Sequence, residues 1–220
     1  LLIDTSSSVR LKLDFEKDAA IRFIRSVMRK NDQALLVEFD EGVTLVHDFT
    51  TRPTAIVQSV KQLRAGGGTA LWDAIYVVSR EKMTDRVARK TLVVVSDGQD
   101  LSSSRSLDDA LEMVQASEVT VFAIGTSKFG AAQNKKGENA LKEMSQETGG
   151  TAFFPYSTEL LDEAFELINE ELRSQYSITY TPKNEARDGK FRKIEVRLKD
   201  SKGLDLRHKK GYWAPTEESS

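Results

Sequence analysis

The residues equipped for chemistry lie in three short stretches. The first is Leu1-Leu2-Ile3-Asp4-Thr5-Ser6-Ser7-Ser8, an apolar run that breaks off into one carboxylate and a cluster of hydroxyls. The second is Gly66-Gly67-Gly68-Thr69, just ahead of an apolar helical pattern, and the third is Leu92-Val93-Val94-Val95-Ser96-Asp97-Gly98. Together they offer Asp4, Ser6, Ser8, Thr69 and Asp97: two acids and three hydroxyls, with no histidine or cysteine. A donor set made only of oxygen suits a hard divalent cation. The bland alternative is that Ser6 and Ser8 cap the following helix and Asp97-Gly98 is a turn.

These residues need elements that bring them to one place. An apolar run ending in polar residues is how a buried parallel strand delivers side chains to the rim of a sheet. Leu13 to Lys30 carries Phe15, Ala19, Phe23, Ile24, Val27 and Met28 at helical spacing. Ala34 to Phe39 reads as a strand, Asp40-Glu41-Gly42 as a tight turn, and Val43 to Val46 as a returning, antiparallel edge strand. Thr51, as a cap, and Pro53 open a helix that runs to about Leu63. Ala70 to Val78 is the most apolar helix, and Thr91 to Ser96 is the second central strand. A helix from Ser106 to Ala116, a strand from Val119 to Ile124 and a polar mobile loop from Phe129 to Gly137 follow. Then come a helix from Asn139 to Thr148, a strand from Thr151 to Phe154 and a helix from Thr158 to Leu172. This alternation predicts a doubly wound α/β fold, with a mostly parallel sheet and helices on both faces. Ligands in such sheets bind beyond the carboxyl ends of the strands, where Asp4 and Asp97 fall.

The pattern changes after Ser174. Tyr176 to Thr181, Phe191 to Leu198 and Leu204 to Arg207 alternate with period two, which predicts short strands without helices. Residues 182–213 hold eleven basic and five acidic side chains, against a net charge of −2 for the whole chain. The expected division is a main domain over 1–173, a β extension over 174–215 packed on it, and a frayed end over 216–220. A segment of some 40 residues rarely makes a core alone.

Asp4-x-Ser6-x-Ser8, Thr69 after glycines, and Asp97-Gly98 after a β-branched strand resemble the metal-ion-dependent adhesion site (MIDAS) of the von Willebrand factor type A domain. The resemblance covers roughly residues 1 to 173; Ser7 stands where many relatives carry Gly. It implies that Ser6, Ser8 and Thr69 offer hydroxyl oxygens to a divalent cation, most often Mg²⁺, with Mn²⁺ or Ca²⁺ as alternatives. It implies that Asp4 and Asp97 hold the ion directly or through water, and that a protein partner completes the site with an Asp or Glu. Gly68, Trp72 and Asp100 become candidate rim positions, although Asp100 also reads as a cap for Ser102 to Ser104 and Trp72 as core. The tail, from Gln175-Tyr176 through Arg187-Asp188-Gly189-Lys190-Phe191-Arg192-Lys193-Ile194 to Gly211-Tyr212-Trp213-Ala214-Pro215, resembles a bacterial subfamily. These are the von Willebrand factor A-related proteins first grouped from Acidobacteria. That resemblance implies an exported protein: periplasmic, extracellular or on the cell surface.

Composition removes several function classes. The absence of cysteine leaves no disulfide framework, zinc-thiolate site or thiol nucleophile. The charge balance gives no reason to expect nucleic acid, and no apolar run approaches the roughly 18 residues of a membrane span. His47 and His208, the two histidines, read as separate surface residues. A Mg²⁺-dependent phosphohydrolase with Asp4 as nucleophile would want a second carboxylate two residues on, and position 6 is Ser. A structural module with a vestigial metal site is the remaining alternative. Gly66-Gly67-Gly68 is not followed by Gly-Lys-Ser/Thr, so it is no phosphate loop. The chain opens without Met inside a strand, with three residues before Asp4, so residues upstream are expected.

Overall fold

A computed structural model of the chain describes residues 1–126, 134–200, 203 and 206–216. Strands β1 (Leu2–Asp4), β2 (Ala34–Phe39), β3 (Val43–Thr50), β4 (Lys90–Ser96), β5 (Val119–Gly125) and β6 (Ala152–Phe153) form one sheet in the order β3-β2-β1-β4-β5-β6. Every neighbouring pair is parallel except β2 with β3. Helices α1 (Leu13–Val27), α2 (Pro53–Gln62), α3 (Leu71–Val78), α4 (Leu107–Ala116), α5 (Lys135–Thr148) and α6 (Thr158–Ser174) cover the two faces. This is the doubly wound, mostly parallel α/β architecture that the alternation predicts.

Period-two alternation divides the core. Ile3, Leu36, Val93, Val95, Phe122 and Ile124 point to one face, where they pack with α1, α2 and α6 through Phe23, Ile56 and Phe165. Leu2, Leu35, Val37, Leu92, Val94 and Val121 point to the other, against α3, α4 and α5 through Ile75, Val114 and Leu141. Strands buried on both faces need apolar side chains on both, which is why β1, β2 and β4 are built around the continuous apolar runs 1–3, 34–37 and 92–95. β1 sits between β2 and β4, and the chain winds away from it to both sides. The crevice at the C-terminal edge therefore opens between β1 and β4. No helix among the described residues is long and apolar enough to cross a membrane.

Several local expectations are corrected. β3 runs to Thr50 rather than Val46. Thr51 does not cap α2: Arg52 holds the cap position without a side-chain bond, and its N–H donates to Thr50 Oγ1. α5 starts at Lys135 with Asn134 Oδ1 accepting from Gly137 N, so 135–137 is helix and not loop; the rest of the expected loop, 129–133, lies outside the described residues.

The tail differs most. Tyr176 to Thr181 pairs with nothing as a strand, and Tyr176, Ile178 and Tyr180 are exposed, so the alternation there has no buried face to satisfy. Among the described residues of the tail, the strands that pair are β7 (Phe191–Lys193) and β8 (Gly211–Trp213), antiparallel, with Phe191 edge-on to Trp213. Leu206 and Arg207 are not in a strand, and 204–205 lie outside the described residues. Thr216, expected to be frayed, forms a bridge with Asp188; 217–220 lie outside the described residues. Arg207 pairs with Glu171 of α6, and Lys210 N donates to Glu147 O of α5 at 3.1 Å.

Candidate metal centre

β1 ends where Asp4 leaves the sheet. Thr5 N still donates to Phe39 O at 2.8 Å, and the chain then makes one 3-10 turn over Ser7–Val9. Asp4 is fully buried and held from two sides: Ser6 N donates to Oδ1 at 2.9 Å and Ser96 Oγ donates to Oδ2 at 2.7 Å. Ser6 makes no capping bond, and its Oγ lies 2.9 Å from Ser8 Oγ. The helix-cap alternative for these serines therefore fails.

The glycine loop is sewn to the β1 exit. Gly66 N donates to Thr5 O at 2.8 Å, and Ser7 N to Gly67 O at 3.1 Å. On its other side Thr69 O accepts from Leu101 N and Ser102 N, at 2.9 and 2.8 Å. A side chain at Gly68 would collide with Ser102 Oγ, so the glycine lets the two loops touch. Thr69 itself is buried. Asp97 follows β4 directly. Its Oδ1 accepts from Gln99 N at 2.9 Å, and its Oδ2 lies 4.0 Å from Lys12 Nζ. Gly98 has φ +77° and runs against the backbone of Gly137, which joins the loop to the start of α5. Three loops carrying the five oxygen residues are thus bonded into one rim.

The electrostatics are those of a site short of positive charge. Burial lifts the Asp4 carboxyl from 3.8 to about 6; the Ser6 and Ser96 hydrogen bonds pull it down, and Asp97 pushes it up. Glu16, fully buried on α1, is raised well above the ordinary range by burial and then by Asp4. Its Oε1 accepts from Thr126 Oγ1 at 2.8 Å, while Oε2 has no partner. Among the described residues no three His, Cys, Asp or Glu side chains gather as a metal cluster. Any ion held here must lean on hydroxyls. Two crowded acids with three neutral hydroxyls fit a hard cation whose charge the buried carboxylates lack.

The rim candidates separate. Asp100 Oδ1 accepts from Ser103 Oγ at 2.6 Å, within the 102–104 turn, and from Leu71 N at 2.8 Å, so it also caps the first turn of α3 from another loop. Trp72, on α3, is buried in the core. His47 lies on the edge strand β3 and His208 on the tail beside Gly149. Ser96 and Lys12 were missed by motif reading. Strand alternation places Ser96 on the face of Leu92 and Val94, but only the register Leu2↔Val94 and Ile3↔Val95 shows that it stands opposite Asp4.

A family model for the von Willebrand factor type A domain matches residues 1–167. Integrin alpha-X of Mus musculus is 30% identical over 158 residues, which is 66% of this chain and 13% of that protein. A von Willebrand factor type A structure from Catenulispora acidiphila superposes with TM-score 0.65 at 21% identity, over 77% of this chain and 41% of its own. Proximal thread matrix protein 1 of the mussel byssus, solved with a zinc-occupied MIDAS motif, gives 0.62 at 18% identity, over 76% and 46%. The two solved structures share the fold. The match that runs from β1 into α6 settles the kinship: this chain belongs to the von Willebrand factor type A domain family, known for metal-dependent adhesion and generally non-enzymatic.

Proposed function

We propose that the chain is a non-enzymatic, metal-dependent protein-binding module. In this reading Ser6, Ser8 and Thr69 offer hydroxyl oxygens to a Mg²⁺-type ion, with Mn²⁺ or Ca²⁺ as substitutes. Asp4 and Asp97 balance its charge and orient the hydroxyls. The ion, when bound, supplies an open position for an Asp or Glu of a protein partner. The observation that carries the reading is that Ser6 and Ser8 face each other at 2.9 Å beside buried Asp4 and do not cap a helix. Integrin alpha-X and the zinc-occupied byssus protein support it as relatives, with the chain spanning 13% and 46% of them. The tail, residues 174–215, is proposed as an extension packed on the domain through Arg207 and Lys210. Export is proposed from the tail's resemblance to the bacterial subfamily.

The test is a metal titration, followed by thermal shift and calorimetry, on the wild type and Asp97→Ala. A ligand that binds only the folded state at a hundredfold excess over Kd stabilises by about 2.7 kcal/mol. Mg²⁺ or Mn²⁺ should stabilise the wild type and leave the variant unchanged. No response to either ion, or to Ca²⁺, at millimolar levels leaves a structural module with a vestigial site.

A further inference from the structure

We propose that Lys12 is an internal competitor of the divalent ion: it neutralises Asp97 when the site is free and passes to Glu16 when the ion is bound. This rests on the metal-site reading above. Lys12 is buried at the start of α1, with its side chain 7% exposed, and its Nζ lies 4.0 Å from Asp97 Oδ2. That is ion-pair range and too long for a hydrogen bond. A lysine is rarely buried without a partner, so its place beside the rim needs a reason.

Glu16 supplies the other half. Glu16 N donates to Lys12 O at 2.9 Å, so the two residues stand one helical turn apart and share a face. Glu16 Oε2 is buried and has no partner. One buried ammonium therefore stands beside Asp97 at the rim, with the buried acid group of Glu16 one helical turn along on the same face. A cation arriving at the rim takes over the Asp97 charge and repels Lys12. The flexible four-carbon stem of lysine lets the ammonium swing to Glu16, whose empty oxygen then gains its partner. The outcome is a site that never holds Asp97 uncompensated, at the expense of weaker ion binding.

The experiment is calorimetric titration with Mg²⁺ and Mn²⁺ of the wild type, Lys12→Met, Glu16→Gln and the double variant, with melting temperatures in chelator. Removing the competitor should tighten ion binding about tenfold, while the metal-free Lys12→Met protein melts lower than the wild type. Glu16→Gln should weaken binding in the wild-type background, because Lys12 loses its second place. In the Lys12→Met background the same change should have little effect, a coupling that a double-mutant cycle reads directly. If Lys12→Met does not fold, Lys12→Gln takes its place. Equal or weaker ion binding after loss of Lys12 overturns the proposal. So does a Glu16→Gln effect of the same size in both backgrounds. If no variant and no wild-type protein binds either ion, the metal-site reading itself fails, a result distinct from these.

Discussion

Ser96 Oγ donates to Asp4 Oδ2 at 2.7 Å, joining the ends of β1 and β4 across 92 residues of chain. Gly98 N donates to the same Ser96 oxygen at 3.0 Å, so one hydroxyl fixes the first carboxylate and the turn after the second. Ser96→Ala leaves a buried carboxylate oxygen and an N–H short of a partner, which costs about 1–3 kcal/mol. Urea unfolding in chelator should show that loss, and an unchanged midpoint would contradict this account of the seam.

The pH dependence of metal-free stability follows from Asp4. With its pKa raised by burial from 3.8 to about 6, the folded state keeps a proton that the unfolded chain releases. The associated stability is fully present below pH 3.8 and is lost as pH rises through 6. The full loss is on the order of 3 kcal/mol. The comparison to make is wild type minus Asp4→Asn, which cancels the titration of groups common to both. Melts from pH 4 to 7 in chelator should show the wild type losing ground to Asp4→Asn, and saturating Mg²⁺ at pH 7 should restore it.

Gly137→Ala tests the contact between α5 and the Asp97 loop. Helix propensity favours alanine over glycine by about 1 kcal/mol. A methyl group at Gly137, however, would come within 2.6 Å of the Gly98 carbonyl carbon, where backbone must give way. Overpacking of this kind costs about 1–3 kcal/mol, so the net sign is destabilising. Thermal melting checks it, and weaker ion binding should accompany the lower melting temperature because Gly98 adjoins Asp97.

Asp100 distinguishes a cap from an ion ligand. Its carboxylate serves the first turn of α3 through Leu71 N. Asn serves as well as Asp in that role, whereas Ala costs about 1 kcal/mol. Asp100→Asn should keep both stability and ion affinity, and Asp100→Ala should lose stability. A fall in ion affinity in Asp100→Asn would make Asp100 part of the ion site.

Each of the three short oxygen-bearing stretches, each strand or helix pattern in the alternation, and the apolar faces of α1 and α6 are local properties, set by spacing between near neighbours in the chain. Sequence alone determined them. Capping of α4 is of the same kind: Ser106 and Asp109 bond each other's backbone, as their spacing implies. The partners across the sheet were decided only by tertiary structure. Alternation says which face Ser96 takes, but not that Asp4 stands opposite, because register depends on how strands far apart in the chain align. The Gly98–Gly137 contact and the Lys12–Asp97 pair are hidden for the same reason, since each joins elements that no local pattern links. The tail shows the converse. Tyr176 to Thr181 has the period of a strand yet stays unpaired, because a strand exists only where another offers its backbone groups, and packing alone determines that.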